Sequence, residues 1–319
     1  MKTRLTELLE IEIPILNGPM TPQAGGALAG AVSEAGAFGM LGFDEDEPIE
    51  SLRAQVALAR GAGRSFGIGL VIWVLEKRPE LLALAIESKP KLVSISFGDP
   101  AAYVERFHQA GILVASQVQS KAWAEVAQRA GVDLIVAQGG EAGGHTGSVA
   151  TLPLLQVVLE SGQLPVIAAG GIATGRGLAA VLAAGAVGGW IGTPFLVADE
   201  SRTTAGARRR VLESDETQTL LTSVFDRVQH KPWPREFRGR VLRNQFVDEW
   251  NEREDAMMTD PSAEQEFRAA KAAGDYAIAN VYAGQSVGLV HRATGAAEIV
   301  RRIADEAATR LRELRSVSE

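Results

Sequence analysis

Eight short apolar runs, most of them closed by Gly, Asn, Ser or Gln and separated by helix-length amphipathic stretches, constrain this 319-residue chain more than any other feature. They fall at 14–17, 38–41, 66–70, 92–96, 113–116, 134–138, 166–169 and 187–191, with helices expected over 52–60, 122–130, 154–161 and 177–184. Strands that alternate with helices imply repeated β-α units on a parallel sheet. Eight such strands with short loops predict an α/β fold, a (β/α)8 TIM barrel closed on itself. A doubly wound open sheet usually has fewer strands and wants a glycine-rich phosphate turn after the first. Here the first run ends in Asn17-Gly18-Pro19-Met20-Thr21-Pro22, and two prolines spoil such a turn.

Beyond residue 198 the rhythm breaks. The segment 201–285 is rich in Arg, Glu, Asp and Gln, shows helical spacing without strand runs, and reads as a helical insertion or lid domain near the C-terminus. The barrel would then comprise 1–200 and 286–319, with 201–285 as the lid and substrate domain. Apolar residues at helical spacing over 296–314 predict a closing helix outside the barrel wall. The uncharged stretch 177–198 is long enough to suggest a membrane span, but glycines and a proline divide it into a buried helix and a buried strand.

Composition excludes several classes. Thirty-two Lys and Arg stand against 39 Asp and Glu, a net charge of −7, and no basic stripe offers phosphate contacts to nucleic acid. The one dense cluster, Arg208-Arg209-Arg210, reads as a solvated helix face. Absence of cysteine removes disulfides, thiolate nucleophiles and thiolate-bound metals, so redox chemistry needs a bound cofactor. The charged N-terminus carries no secretory signal, which points to the cytoplasm.

Barrel active sites lie at the carboxyl ends of the strands. The sixth run ends in Gln138-Gly139-Gly140-Glu141-Ala142-Gly143-Gly144-His145-Thr146-Gly147, a turn in which backbone can approach a planar ligand. His145 there could be a loop histidine bonded to backbone, or a general base near neutral pH; its place after a barrel strand favours the second. The seventh run ends in Ala169-Gly170-Gly171 and the eighth in Trp190-Ile191-Gly192-Thr193, which together suggest a phosphate site of bare N–H groups, with Gly171 for close approach and Thr193 adding its hydroxyl. Other features are weaker. His108 reads as a surface or packing residue, and His230 and His291 lack a carboxylate at ligand spacing. No H-E-x-x-H pattern appears, so no metal is expected. The five tryptophans read as packing residues, Trp190 excepted for its place beside the phosphate turn.

With Glu141-Ala142-Gly143-Gly144-His145 ahead of Ala169-Gly170-Gly171-Ile172 and Gly192-Thr193, and with Leu16 to Met20, Phe97-Gly98-Asp99-Pro100 and Tyr282-Ala283-Gly284-Gln285 besides, the chain resembles the nitronate monooxygenases, formerly 2-nitropropane dioxygenases. The resemblance implies a TIM barrel holding FMN non-covalently at the strand ends beneath a helical lid. It places flavin contacts at Asn17, Gly18, Pro19 and Met20, at Gln138, Gly143 and Gly144, at Ala169, Gly170 and Gly171, and from Trp190 through Ile191 and Gly192 to Thr193. It makes His145 the catalytic group facing flavin and substrate. The implied reaction takes an alkyl nitronate such as propionate 3-nitronate and dioxygen to a carbonyl compound and nitrite; a homo-oligomer is compatible with it.

This chain departs from the family's pattern at Gly69, where Asn or Gln is usual, at Gln117, where Lys or Thr is frequent, and at Trp190, where Gln is common. Fewer polar groups would then reach the flavin, and a missing cation near it would lower its potential. Two other readings stand beside the first: an FMN-dependent NAD(P)H reductase of the enoyl-acyl-carrier-protein or quinone type, and a flavin-carrying barrel without turnover.

Overall fold

The computed structural model describes residues 1–162 and 164–317, so the last two residues of the expected barrel segment 286–319 lie outside the described residues. Its strands are β1 (Ile15–Asn17), β2 (Gly39–Gly42), β3 (Phe66–Val71), β4 (Leu92–Ser96), β5 (Leu113–Val118), β6 (Leu134–Gln138), β7 (Gly144–Thr146), β8 (Val166–Ala169), β9 (Gly188–Ile191), β10 (Thr219–Thr222) and β11 (Arg238–Leu242). All but β7, β10 and β11 form one parallel sheet in the order β1-β9-β8-β6-β5-β4-β3-β2. The eight expected runs are these eight strands, with ends shifted by a residue or two. The two edge strands meet through a parallel bridge between Leu16 and Phe38, which closes the barrel.

That seam is short of ladder bonds, and a side chain supplies them. Asn17 Nδ2 donates to the Met40 carbonyl at 2.7 Å while Asn17 Oδ1 accepts the Met40 N–H at 2.8 Å. A buried amide with both ends satisfied holds β1 to β2 as a strand pair would.

Alternation along the strands divides the core in two. Leu134 and Val136 of β6 and Ile167 and Ala169 of β8 join Leu16, Phe38, Met40 and Trp190 in the barrel interior, where Leu5 and Leu9 of the first helix also pack. Ile135, Ala137, Val166, Ala168 and Ile191 face outward, under the helices. Each buried Leu or Ile contributes about 1.5–3 kcal/mol. The closing helix, Ala296–Val317, lies against Gly175–Ala183 so tightly that a Cβ on Gly175 would sit 2.3 Å from the Ala307 nitrogen. The stretch 177–198 is a helix and strand of the barrel, and among the described residues no helix is long and apolar enough to cross a membrane.

The insertion is not purely helical, contrary to the sequence expectation. β10 and β11 pair antiparallel, and β11 continues onto β7, which leaves the loop after β6 to join this second sheet. Helices 245–250, 254–259 and 261–273 pack around it, with Phe225, Phe246 and Phe267 in mutual ring contact at 5.6–5.9 Å. Arg208 also departs from expectation. Its guanidinium donates to the carbonyls of Ala198 and Ser201 instead of lying in solvent, while Arg210 reaches the Arg243 carbonyl.

Candidate active site

β6 delivers Gln138 to the carboxyl end of the barrel, and the chain beyond it is held by two charged side chains. The Glu141 carboxylate accepts the Thr151 N–H at 2.7 Å and the Thr151 hydroxyl at 2.5 Å, which ties the turn to the start of the helix Thr151–Glu160. Arg240 Nε donates to the Gly140 carbonyl at 2.7 Å and Nη1 to the Thr219 hydroxyl at 3.0 Å. Burial pulls the Arg240 guanidinium below its ordinary pKa, and the negative charge of Glu141 opposes that shift. The segment carrying His145 is therefore a strand in register with β11, His145 opposite Gly239, and not the flexible turn its glycines suggest.

His145 Nε2 lies 2.9 Å from both carboxylate oxygens of Asp226, with the two side chains only 10% and 7% exposed. Trp233 covers the imidazole in a parallel stack, centroids 3.4 Å apart and planes within 6°. Trp233 in turn meets Trp73 at 5.6 Å and Phe97 at 5.1 Å edge-on. The Tyr282 ring stands 5.7 Å from His145. Burial, and after it the carboxylates of Asp226 and Glu45, push the Tyr282 pKa well above its ordinary value, so its hydroxyl stays protonated.

Asp226 apart, these groups line a cavity of about 620 Å³, within the roughly 300–1,000 Å³ range of small-molecule sites. His145 is in its wall, and so are Gly18, Pro19 and Met20 from the end of β1 and Gly69 and Gln117 from β3 and β5. Gln138, Gly143 and Gly144 come from the other side, with Ala169, Gly170 and Gly171 after β8 and Trp190, Gly192 and Thr193 after β9. Gln138 Oε1 accepts from Gln119 Nε2 at 2.9 Å, and among the described residues the Gln138 amide nitrogen has no protein partner. Gly69 is dictated by contact: a Cβ there would lie 2.4 Å from Cγ and 2.5 Å from Cβ of Pro19. A side chain at this position would have to displace the Pro19 ring.

Asn17 and Ile191 do not reach the cavity wall. Asn17 spends its amide on the barrel seam, and Ile191, one residue out of phase with Trp190, points under the outer helices. At the end between β8 and β9 the backbone is bare. Gly170 and Gly171 turn with φ of 103° and 71°, and a Cβ on Gly171 would meet nothing nearer than Glu141 Cβ at 3.5 Å. Among the described residues the N–H groups of Gly171, Gly192 and Thr193 find no protein acceptor. The Thr193 hydroxyl accepts the Gly284 N–H at 2.9 Å and keeps its own proton to donate. Unpaired N–H groups around open space suit an anion.

The loop after β2 crosses the cavity mouth. There Glu45, nearly buried, takes Lys231 at 2.5 Å and Lys77 at 3.3 Å. Glu47 accepts two bonds from Arg202, at 3.0 and 2.9 Å, joining this loop to the first residues of the insertion. Among the described residues no cluster of His, Asp and Glu could hold a metal. His108 pairs with Asp133 at 2.9 Å, and His230, against expectation, does meet a carboxylate in space, Glu264 at 3.3 Å.

Asp226 and Trp233 escaped the sequence reading. Asp226 is 81 positions from His145. Its one visible signal was an acid set between Val224, Phe225 and Val228, all apolar and all buried. Trp233, read as a packing residue, is part of the site.

The sequence profile of the nitronate monooxygenases matches residues 78–306. A nitronate monooxygenase of Paraburkholderia phytofirmans is 31% identical over 98% of this chain and 97% of its own length. A Mycobacterium tuberculosis protein described as (3aS,4S,5R,7aS)-5-hydroxy-7a-methyl-1-oxo-octahydro-1H-indene-4-carboxyl-CoA dehydrogenase is 32% identical over 78% of this chain and 68% of its own. Its counterpart in Rhodococcus jostii is matched over 65% of its length. Among solved structures, FabK from Thermotoga maritima superposes with a TM-score of 0.87, 31% identity and 99% coverage of both chains. A nitroalkane oxidase from Streptomyces ansochromogenes gives 0.82 and 29%, covering 97% of this chain and 99% of its own. A closed eight-stranded barrel, a buried imidazole–carboxylate pair at its carboxyl end and a profile match over most of its length place this chain in the nitronate monooxygenase family of oxidoreductases.

Proposed function

We propose that this protein is an FMN-dependent nitronate monooxygenase, which oxidises alkyl nitronates with dioxygen to carbonyl compounds and nitrite. The observation that carries the reading is a cavity in which His145, backed by Asp226 from behind, meets a floor of small residues and bare N–H groups from six barrel strands. The residues fit the cofactor. Pro19 and Met20 would back the flavin ring, Gln138 with its free amide nitrogen and the Gly143–Gly144 backbone would lie along its edge, and Gly171, Gly192 and Thr193 would hold the phosphate. The small sides of Gly69 and Ala169 would leave room for a planar group. FMN, when bound, supplies the acceptor for electrons from the nitronate and the donor of electrons to dioxygen.

The chain's own groups do the rest. Trp73, Trp233 and Phe97 give the cavity an apolar wall that would shield the substrate carbon from water. When the substrate is a neutral nitroalkane His145 takes its proton, and the imidazolium so formed holds the nitronate oxygens. The protonated Tyr282 hydroxyl can donate to a nitro oxygen. We assign the barrel to 1–200 and 286–319 and the lid over the site to 201–285.

Anaerobic titration of the FMN-loaded protein tests this. Loss of the oxidised flavin absorbance on adding propionate 3-nitronate, with none on adding NADH or NADPH, is the expected result. The superposition on FabK favours one competitor, a nicotinamide-dependent reductase, and reduction by nicotinamide alone would establish that instead. His145→Asn is expected to keep bound flavin and lose about 100- to 10,000-fold in turnover of a neutral nitroalkane.

A further inference from the structure

We infer that Asp226 is a positioning residue that holds His145 in one tautomer, with its proton on Nε2 and its lone pair on Nδ1, so that Nδ1 is the atom that takes the substrate proton. The inference rests on the nitronate monooxygenase reading for its substrate, but its geometric half stands alone.

A carboxylate only accepts, and both oxygens of Asp226 lie 2.9 Å from Nε2, so the hydrogen between them belongs to the ring. Nε2 is also the packed edge of the imidazole: a Cβ on Gly239 of β11 would sit 3.6 Å from it. Nδ1 has no protein partner among the described residues, and His145 lines the cavity. The ring cannot easily turn to exchange the two nitrogens, because Trp233 lies flat on it at 3.4 Å and β7 is pinned in register with β11. Asp226 is equally fixed, in a helical turn whose Val224, Phe225 and Val228 are buried in the insertion's core. The titratable groups facing this pair are Tyr282, from the strand-like segment beside β11, and beyond it Glu45 with Lys231 at the mouth. Tyr282 stays neutral, which leaves Asp226 as the one charge bonded to the ring.

The step is proton transfer from a nitroalkane. The C–H bond at the nitro-bearing carbon breaks, its electron pair becomes the C=N bond of the nitronate, and negative charge settles on the nitro oxygens. The proton forms an N–H bond on Nδ1, and the positive charge acquired by the ring lies against the Asp226 carboxylate. A preformed nitronate needs no such step. Loss of Asp226 should therefore divide the two substrate forms, which a merely structural role would not.

Two measurements test it. In apo-protein labelled with 15N-histidine, the ring nitrogen signals of His145, identified by their absence in His145→Asn, should report Nε2 protonated. In Asp226→Asn the new amide can donate to Nε2, and the signals should shift toward Nδ1 protonation. This is the tautomer error that such a substitution produces in other carboxylate–imidazole pairs. In the flavin-loaded enzyme, Asp226→Asn should lose about 100-fold or more in kcat/KM for nitroethane. Its loss with ethylnitronate should be much smaller, and Asp226→Glu should recover part of the nitroethane activity. Wild-type His145 protonated on Nδ1, or equal losses on both substrates in a folded, flavin-bearing Asp226→Asn, would overturn the inference. Wild-type enzyme that turns over neither substrate would sink the proposed function, while the tautomer measurement would still decide the role of Asp226.

Discussion

Replacing Gly171 by valine should yield a folded protein that has lost FMN. Gly171 has φ of 71°, where any side chain costs about 1–2 kcal/mol and a β-branched one more. Domains of this kind have about 5–15 kcal/mol of stability, so the barrel survives the substitution. The protein itself offers no obstacle, since a Cβ at 171 would touch only the Glu141 side chain, at 3.5 and 3.9 Å. Its branches must then project into the space proposed for the phosphate. A hydrogen bond to a charged group is worth about 1.5–3 kcal/mol, or about 10- to 150-fold in Kd at 1.4 kcal/mol per decade. Exclusion of the anion by the valine methyls adds to that. Alanine separates the two effects, because it brings the backbone strain without the branches. We expect Kd for FMN to rise less than about 10-fold for Gly171→Ala and more than about 100-fold for Gly171→Val. Flavin fluorescence titration gives the Kd and thermal unfolding monitors the fold. A valine variant that keeps stoichiometric FMN would refute the placement of the phosphate.

Gly69→Ala should lower flavin content without unfolding the barrel, because its Cβ overlaps Pro19 and must push that ring into the cavity; unchanged occupancy counts against Pro19 as the backing of the flavin. Trp233→Leu removes the stack on His145 and two edge-on contacts, each aromatic pair worth about 0.5–1.5 kcal/mol. Urea unfolding should show a loss of about 1.5–4.5 kcal/mol, with nitroalkane turnover falling further than nitronate turnover. For Glu47, burial acts to raise the carboxyl pKa, but hydrogen bonds from Arg202 and Ser51 outweigh it and hold the pKa below its ordinary 4.5. The stabilisation is thus fully present above pH 4.5 and is lost as pH falls through the lower folded value. Glu47→Gln should remove that acid-range slope from an unfolding curve and lower stability at neutral pH by about 1–3 kcal/mol; an unaltered slope means the pair is not coupled to folding.

The barrel was legible because each of its strands is buried on both faces and so reads as a continuous apolar run, as Leu134–Gln138 does. The small sheet was not, for three physical reasons. β7 is three residues long, with a glycine and a histidine among them. β11 begins Arg-Gly-Arg, and the buried Arg240 is admitted only by the Gly140 carbonyl and the Thr219 hydroxyl, acceptors brought by distant segments. Third, a strand that pairs across 90 positions leaves no local period. The same holds for the site. Glycine-rich strand ends announce themselves, and His145, Gly171 and Gly192 stand in the cavity wall. Asn17 entered the expected flavin contacts through the family resemblance, and in the structure its amide is consumed by the seam. Asp226 was missed because one acid in an apolar turn acquires meaning only from the imidazole it faces.

β7 belongs by sequence to the barrel and by hydrogen bonding to the insertion, and this has a mechanical result. His145 rides on β7, Asp226 on the helical turn after β10, and Trp233 on the loop that leads into β11, so all three are fastened to the second sheet. The backbone proposed for the phosphate, at Gly171, Gly192 and Thr193, is fastened to the first. Any rocking of one sheet against the other carries base, carboxylate and indole as a unit and leaves their mutual geometry intact. What changes is the distance from that unit to the barrel floor.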